Sequence, residues 1–330
     1  MAFLPQNPLA AALLHRLAQA VPVLLIVAVG TFLLMEAAPG DAVDAYLAKT
    51  GGDAGLVAQL RADWGLNRHW TTRLLAYLGG ILTGDFGFSV AFNRPVVDVI
   101  LERAGNTLLL TLGANALAIA IGVPLGIFAG RRPGSPADRA VLGATLLFYA
   151  LPGFWVGLML ILGFAVKLAW FPLGGVETIA SDLTGVARVL DIARHLVLPT
   201  CSLALLYLAL YARMMRTGMV EVWRAPFIRT AQAKGIASRR LLMRHVVRAA
   251  LLPVLTLVGL QAGALLGGSV VIESVFAIPG LGRLAFESVT QRDMPLLMGI
   301  VLANTLLVIL ASLAVDIVYR RLDPRIGQAA

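Results

Sequence analysis

The sequence predicts an all-α polytopic membrane protein of six transmembrane helices, with an external insert between the first and the second. Composition is the first observation: of 330 residues 59% are hydrophobic and 14% charged, against roughly 45–50% and 25% in ordinary globular domains. The second is six apolar runs, each near the ~20 residues that a bilayer crossing requires. The third is the crowding of Lys and Arg into alternate short connections, the bias that fixes a loop on the inner side of a membrane.

Taken in order, the predicted spans are Leu17 to Ala37, Leu108 to Ala129, Val141 to Val166, Leu196 to Met215, Ala249 to Ile272 and Leu296 to Val318. The first follows His15 and Arg16, and its apolar stretch exceeds the ~7–15 residues of a signal-peptide core, which favours a retained helix. Arg131, Arg132 and Arg139 place the second connection inside, as do the bases between spans four and five and Arg320, Arg321 and Arg325 at the C-terminus. The connections between spans three and four and between five and six carry balanced charge and are placed outside. Both termini are then cytoplasmic.

This organisation divides the chain into a tail with the first helix (1–38), an external insert (39–103), a five-helix core (104–318) with a basic loop at 216–248, and a cytoplasmic tail (319–330). Within the insert, Leu74, Leu75, Leu78, Ile81 and Leu82 place apolar groups along one side of a helix-compatible stretch. Trp70 and Tyr77 suit a membrane interface. The expectation is a surface-lying helix that covers the outer ends of the bundle.

The net charge of +9 would suggest nucleic acid in a soluble chain, but topology accounts for most of it here, and no nucleic-acid partner is expected. The single cysteine, Cys201, excludes an intrachain disulfide and a cysteine metal cluster. His15, His69, His195 and His245 are scattered over different segments, so no metal site is expected. A phosphate-cradling G-x-x-x-x-G-K-[ST] loop is absent: Lys49, Lys167 and Lys234 follow Ala, Val and Ala. Ser269 lacks a recognisable base and reads as a small packing residue. The chain is thus not expected to be an enzyme.

Glycines recur every fourth residue at Gly122, Gly126 and Gly130 and again at Gly259, Gly263 and Gly267, which puts each set on one helix face as a packing seam. Pro124 and Pro152 fall within predicted spans and predict kinks. Asn115, Gln261 and Asn304 are the candidates for lining a pathway; for Asn115 and Asn304 an interhelical hydrogen bond is the stronger reading. Asp316 is expected to pair locally with Arg320 and Arg321.

The densest information lies in Phe227 to Pro253, FIRTAQAKGIASRRLLMRHVVRAALLP. Nine bases from Arg213 to Arg248 face only Glu221, more than orientation alone requires. Within it, Thr230, Ala231, Ala233 and Gly235 offer a small-residue surface that a partner protein could approach closely, followed by a helix ending at Leu252-Pro253.

That segment resembles the cytoplasmic coupling loop of membrane subunits in binding-protein-dependent ABC importers, specifically the dipeptide/oligopeptide/nickel permease family. Further blocks are similar to that family in its order: GDFGFSV (Gly84 to Val90), NRPVVDVI (Asn93 to Ile100), ESVFAIPGLGRLAFESV (Glu273 to Val289), QRDMP (Gln291 to Pro295) and LDPRI (Leu322 to Ile326). One position departs from the wider superfamily: Arg229 stands where a Glu is common, so that residue's role does not carry over.

The resemblance implies a type I ABC importer permease fold and the first, "B"-type, of two permease subunits. It implies coupling to ATPases through Arg229, Thr230, Ala231, Gln232, Ala233, Lys234 and Gly235. The implied partners are a homologous second permease in a heterodimer, two ABC ATPase subunits that hold ATP and Mg, an external solute-binding protein and membrane lipid. No cofactor is implied for this chain, and the implied location is the bacterial inner membrane. Peptides are the implied solute, with nickel chelate, glutathione or oligosaccharide as alternatives within the class. A secondary transporter would predict an inverted repeat and ionisable residues at the midplane, and an intramembrane enzyme would predict paired catalytic groups; neither pattern is evident.

Overall fold

The computed structural model describes residues 8–37, 43, 54–63, 65, 67–179 and 182–322. The helices are α1 (Pro8–Ala37), α2 (Ala54–Asp63), α3 (Trp70–Thr83), α4 (Val96–Gly130), α5 (Pro136–Ala150), α6 (Gly153–Leu160), α7 (Gly185–Trp223), α8 (Pro226–Ala233), α9 (Ser238–Leu241), α10 (Val247–Val275), α11 (Leu281–Thr290) and α12 (Met294–Leu322). A two-stranded antiparallel hairpin, β1 (Phe88–Ser89) with β2 (Arg94–Pro95), precedes α4. Among the described residues five helical stretches are long and apolar enough to cross a membrane, and a sixth crossing exists if α5 and the bent-away stretch of α6 with its π-helical continuation Ile161–Lys167 count as one span.

That bent pair corrects the third predicted span, Val141 to Val166. Its two halves meet at 98°. The cause is local: the ring of Pro152 excludes Leu151 from helical backbone, and Leu151 sits extended at φ −80, ψ 135. Pro152 was expected to kink a helix; it divides one. Pro124, Pro199 and Pro253 by contrast lie inside continuous helices. The helix expected to end at Leu252-Pro253 therefore runs on to Val275, and it is entered through a π-helical turn at Leu242–Val246 closed by the Val247 N–H on the Leu242 carbonyl. Membrane helices tolerate such prolines because neighbouring groups take over the freed carbonyls.

The chain divides into two compact units. The first joins Met1–Gly105 to Gly280–Leu313. Here α3 lies on α1: the rings of Phe32 and Tyr77 stack at 6.1 Å and Arg73 forms an ion pair with Glu36. The apolar stripe of α3 is split, since Leu74, Leu78 and Ile81 are half-buried while Leu75 and Leu82 are exposed. Leu82 belongs to the turn that Gly84 ends at φ 77, the left-handed conformation that glycine adopts without strain.

The hairpin explains why the GDFGFSV, NRPVV and QRDMP blocks belong together. Asp293 is buried; its carboxylate accepts the Ser89 hydroxyl at 2.6 Å, the Ala91 N–H at 3.0 Å and the Leu296 N–H at 3.2 Å. It thereby caps α12 and anchors the hairpin with one charge. Beneath it Val96, Val99, Ile100, Leu281, Leu284, Leu296 and Ile300 form a core. Gly299 is required there, because a Cβ would lie 2.5 Å from the Val96 side chain.

The second unit joins Asn106–Pro279 to Ala314–Ala330 and is built around α7. Leu198, Leu203, Tyr207, Tyr211, Met215 and Met219 run down its buried face into one core with α4, α8 and α10. Tyr211, fully buried, donates its hydroxyl to Asn115 Oδ1 at 2.7 Å, which makes Asn115 the interhelical tie expected of it.

Gly122, Gly126 and Gly130 are all buried against α7. A Cβ there would stand 2.7 Å from the Leu208 carbonyl, 2.5 Å from that of Ala212 and 2.9 Å from Met219 Cβ, so α4 and α7 touch backbone to backbone. The second set of glycines is not one seam. A Cβ on Gly259 would come 3.0 Å from Val315, whereas one on Gly267 meets nothing within 4 Å, so Gly267 packs against no part of this chain described here. The side-chain surroundings of Gly263, and the side chains of Arg320 and Arg321 expected to pair with Asp316, are not among those described.

Candidate functional site

Helix α8 begins where α7 stops. Arg224 and Ala225 donate their N–H groups to the Glu221 and Val222 carbonyls, and Pro226 opens α8 at its first turn, the one helical position where a missing N–H costs nothing. After the eight residues of α8 the chain reverses at Gly235, φ 72, whose N–H bonds to the Gln232 carbonyl while that of Ile236 reaches Ala231. The helix is short and strongly two-faced. Ile228 and Ala231, three residues apart, are buried in the core with Met215, Met219, Leu241, Leu242 and Val246.

Six of the seven residues expected to engage a partner are exposed: Arg229, Thr230, Gln232, Ala233, Lys234 and Gly235. Ala231 is different. At 7% exposure it seats the helix on its own chain and does not present a surface. The helical period explains this, because a residue three positions from the buried Ile228 must share its face. Phe227, 49% exposed, stands on the outward side and was not singled out from the sequence. Its signal was available: an aromatic directly before a buried Ile on an otherwise polar helix.

A second feature fixes the base on which α8 stands. Asp138, 1% exposed, accepts Arg216 Nε at 3.0 Å and Nη2 at 2.8 Å, a bidentate pair, and also the Gly134 N–H at 2.8 Å. Ser135 caps α5 by accepting the Asp138 N–H at 3.1 Å. One carboxylate therefore ties the turn after α4 to the last third of α7, close to the start of α8. Both segments were predicted on one side, and the pair brings them to one end of the unit. At the other end Gly175 donates to the Phe276 carbonyl at 2.8 Å, joining the two connections predicted to share the opposite side.

Of the pathway candidates, Asn115 is committed to Tyr211. Asn304 Oδ1 is buried without a hydrogen-bond partner among the described residues, and Gln261 is half-buried. Glu273, not singled out by any sequence signal, is fully buried and accepts the Thr107 hydroxyl at 2.7 Å, while Asn106 Nδ2 donates to the Pro279 carbonyl at 2.8 Å. These bonds hold the ESVFAIPG block to α4. Ser269 is buried, as a packing residue would be. Among the described residues no three of His, Cys, Asp and Glu gather as a metal site.

The geometry defines a class: a multi-pass helical membrane subunit that carries a short two-faced helix, displayed at the end of its longest span. Comparison with known proteins supplies the family. The profile of the binding-protein-dependent transport system inner membrane component matches residues 122–328. The oligopeptide transport system permease protein AppB of Bacillus subtilis is 38% identical over 319 residues, covering 96% of this chain and 99% of the relative. The di/tripeptide transport system permease protein DppB of Pseudomonas aeruginosa is 35% identical over 328 residues, covering 94% and 97%. The methionine ABC transporter MetNI in an inward-facing conformation is similar in fold, with a TM-score of 0.52, 18% identity and coverage of 68% of this chain and 97% of that one. This chain belongs to the binding-protein-dependent permease family, in its dipeptide/oligopeptide/nickel branch, and is a multi-pass inner membrane protein.

Proposed function

We propose that this chain is one of two membrane-spanning subunits of an ATP-driven importer that takes up dipeptides or oligopeptides from an external binding protein. The observation that carries the solute class is the end-to-end likeness to two permeases named for peptide transport. A homologous second permease completes the pathway, to which the half-buried Gln261 of the second unit contributes polar lining. Two ATPase subunits holding ATP and Mg grip the outward face of α8, formed by Phe227, Arg229, Thr230, Gln232, Ala233, Lys234 and Gly235. Ile228 and Ala231 pass their movement into the core around Met215 and Met219. Both termini are cytoplasmic and the insert is external, on the charge bias of the short loops.

The test is uptake by vesicles holding this chain with its second permease, ATPases and binding protein, offered labelled dipeptide, pentapeptide, nickel chelate, glutathione and oligosaccharide. ATP-dependent accumulation of a peptide supports the reading. Accumulation only of one of the other solutes, or uptake that follows an ion gradient without ATP, overturns it.

A further inference from the structure

In the first unit the end of α1, the turn before α3, α3 itself, β1 and the first turn of α12 enclose a cavity of about 660 Å³. That is within the range of small-ligand sites, roughly 300–1,000 Å³. Its level is set by the chain: Phe32, Met35 and Glu36 come from the last turns of α1, and Met294 and Met298 from the first turns of α12. Both helices pass from apolar run to polar connection at that point, so the cavity lies at a membrane–water boundary whichever side that is.

Its walls have two characters. Phe32, Met35, Phe88, Met294 and Met298 are apolar; Arg68, Arg73 and Tyr77 are donors. Arg73 pairs with Glu36 through one terminal nitrogen, yet its Nε and the Tyr77 hydroxyl are buried with no hydrogen-bond partner among the described residues. Buried donors of this kind are costly when unmade, so they call for an acceptor. Burial pushes the Tyr77 hydroxyl up to about 12, which keeps it a donor at neutral pH. Two guanidinium groups against one carboxylate leave an excess of one positive charge. Arg68 is held by a turn in which its N–H bonds to the Gly65 carbonyl at 3.2 Å, with Gly65 at φ 68. Next to the cavity, α1 exposes Leu33 and Leu34, apolar surface that suits an acyl chain.

We propose that this cavity binds one phospholipid, its singly charged phosphodiester on Arg68, Arg73 and Tyr77 and the upper part of an acyl chain along Phe32, Met35, Met294 and Met298. The bound lipid clamps α3 to α1 and α12, and so holds the insert at a fixed level. Charge and shape both favour this occupant: a hydrophilic solute would leave the methionine wall unsolvated, and a neutral lipid would leave the donors unmade. The site is independent of which solute is transported and of which terminus faces the cytoplasm.

The experiment is native mass spectrometry of the delipidated full chain in detergent, titrated with dioleoyl phosphatidylglycerol, with diacylglycerol, with inorganic phosphate and with a tripeptide. The variants are Arg68→Gln, which removes an exposed cation, and Met298→Trp, which fills the cavity. The expected result is one retained phosphatidylglycerol per chain, about tenfold weaker in Arg68→Gln, as loss of one charge-assisted hydrogen bond would give, and weaker in Met298→Trp. Diacylglycerol should bind about tenfold less well, and millimolar phosphate or tripeptide should not displace the lipid. Equal retention in wild type and both variants overturns the proposal. Displacement by phosphate would show a free-anion site, and displacement by tripeptide a solute site; either also overturns it. None of these readings depends on uptake, so their failure leaves the transport assignment untouched.

Discussion

At the residue scale the strongest commitment is a single buried carboxylate. Asp138 holds Arg216 by two bonds and the Gly134 amide by a third, so replacing it with Ala strands a guanidinium and frees a turn. Breaking a buried pair on one side costs about 3–5 kcal/mol, and here somewhat less because Arg216 keeps 24% side-chain exposure. Asp138→Ala should lower the melting temperature of the chain in detergent, and Arg216→Met on top of it should restore part of the loss. A melting temperature equal to wild type in Asp138→Ala would show that the pair holds nothing. Gly235 is a different kind of position. A side chain there meets no atom within 4 Å, so Gly235→Val carries only the cost of φ 72, on the order of 1–2 kcal/mol. It should leave the protein in the membrane while disturbing the reversal that ends α8, and co-purification of the ATPase pair would read the effect.

The exposed loop after α6 gives a pH prediction with a defined sign. Arg188 bonds to Glu177 at 2.7 Å and holds that carboxyl below its usual range. A depressed folded-state pKa adds stability above the unfolded value and loses it as pH falls through the folded one. Because the pair is solvent-exposed the effect is small. Arg188→Gln should therefore speed the loop's hydrogen exchange slightly at neutral pH, with the difference from wild type fading as the pH falls through the depressed pKa of Glu177.

Among the elements, the two sets of glycines make opposite predictions. Gly126→Leu drives a side chain into the Ala212 carbonyl and Met215 Cβ, each within 2.6 Å of where its Cβ would stand, and should separate α4 from α7. Overpacking of this kind costs about 1–3 kcal/mol or more, visible as lost yield or a lower melting temperature. Gly267→Leu should leave the melting temperature of the chain by itself unchanged. Equal behaviour of the two variants would remove the backbone-contact argument. The same comparison shows what a sequence can carry: four-residue spacing states which residues share a face, and says nothing about whether a neighbour comes to it. The division of the third span is similar. Pro152 was visible, but whether a membrane helix absorbs a proline, as at Pro253, or breaks, as at Leu151, depends on what its neighbours offer the freed backbone. Asp138 and Arg216 are 78 residues apart, and in the sequence one reads as a lone acid in a basic turn and the other as one of many inner-side bases. Ala231 was legible, had the helical phase been set by Ile228.

For the whole molecule the hydropathy pattern was informative because the bilayer leaves so few alternatives to apolar helices of ~20 residues. Loop charges add the side: tags at Pro136 and the C-terminus should report cytoplasm, and tags at Gly52 and Asp182 the outer face. A tag at Asp182 active only in the cytoplasm would contradict the proposed orientation. The central claim is that α8, standing on the core of its own chain, transmits ATP-driven movement to a peptide pathway. The direct measurement is ATP-dependent uptake of labelled peptide by reconstituted vesicles, with hydrolysis and ATPase co-purification followed in the same preparations, for wild type, Thr230→Glu and Phe227→Asp. These side chains are exposed, so both variants should reach the membrane in normal amount. Both variants should lose most of the ATPase pair, or hydrolyse ATP without uptake; normal docking, stimulation and uptake in both would contradict a coupling role for α8.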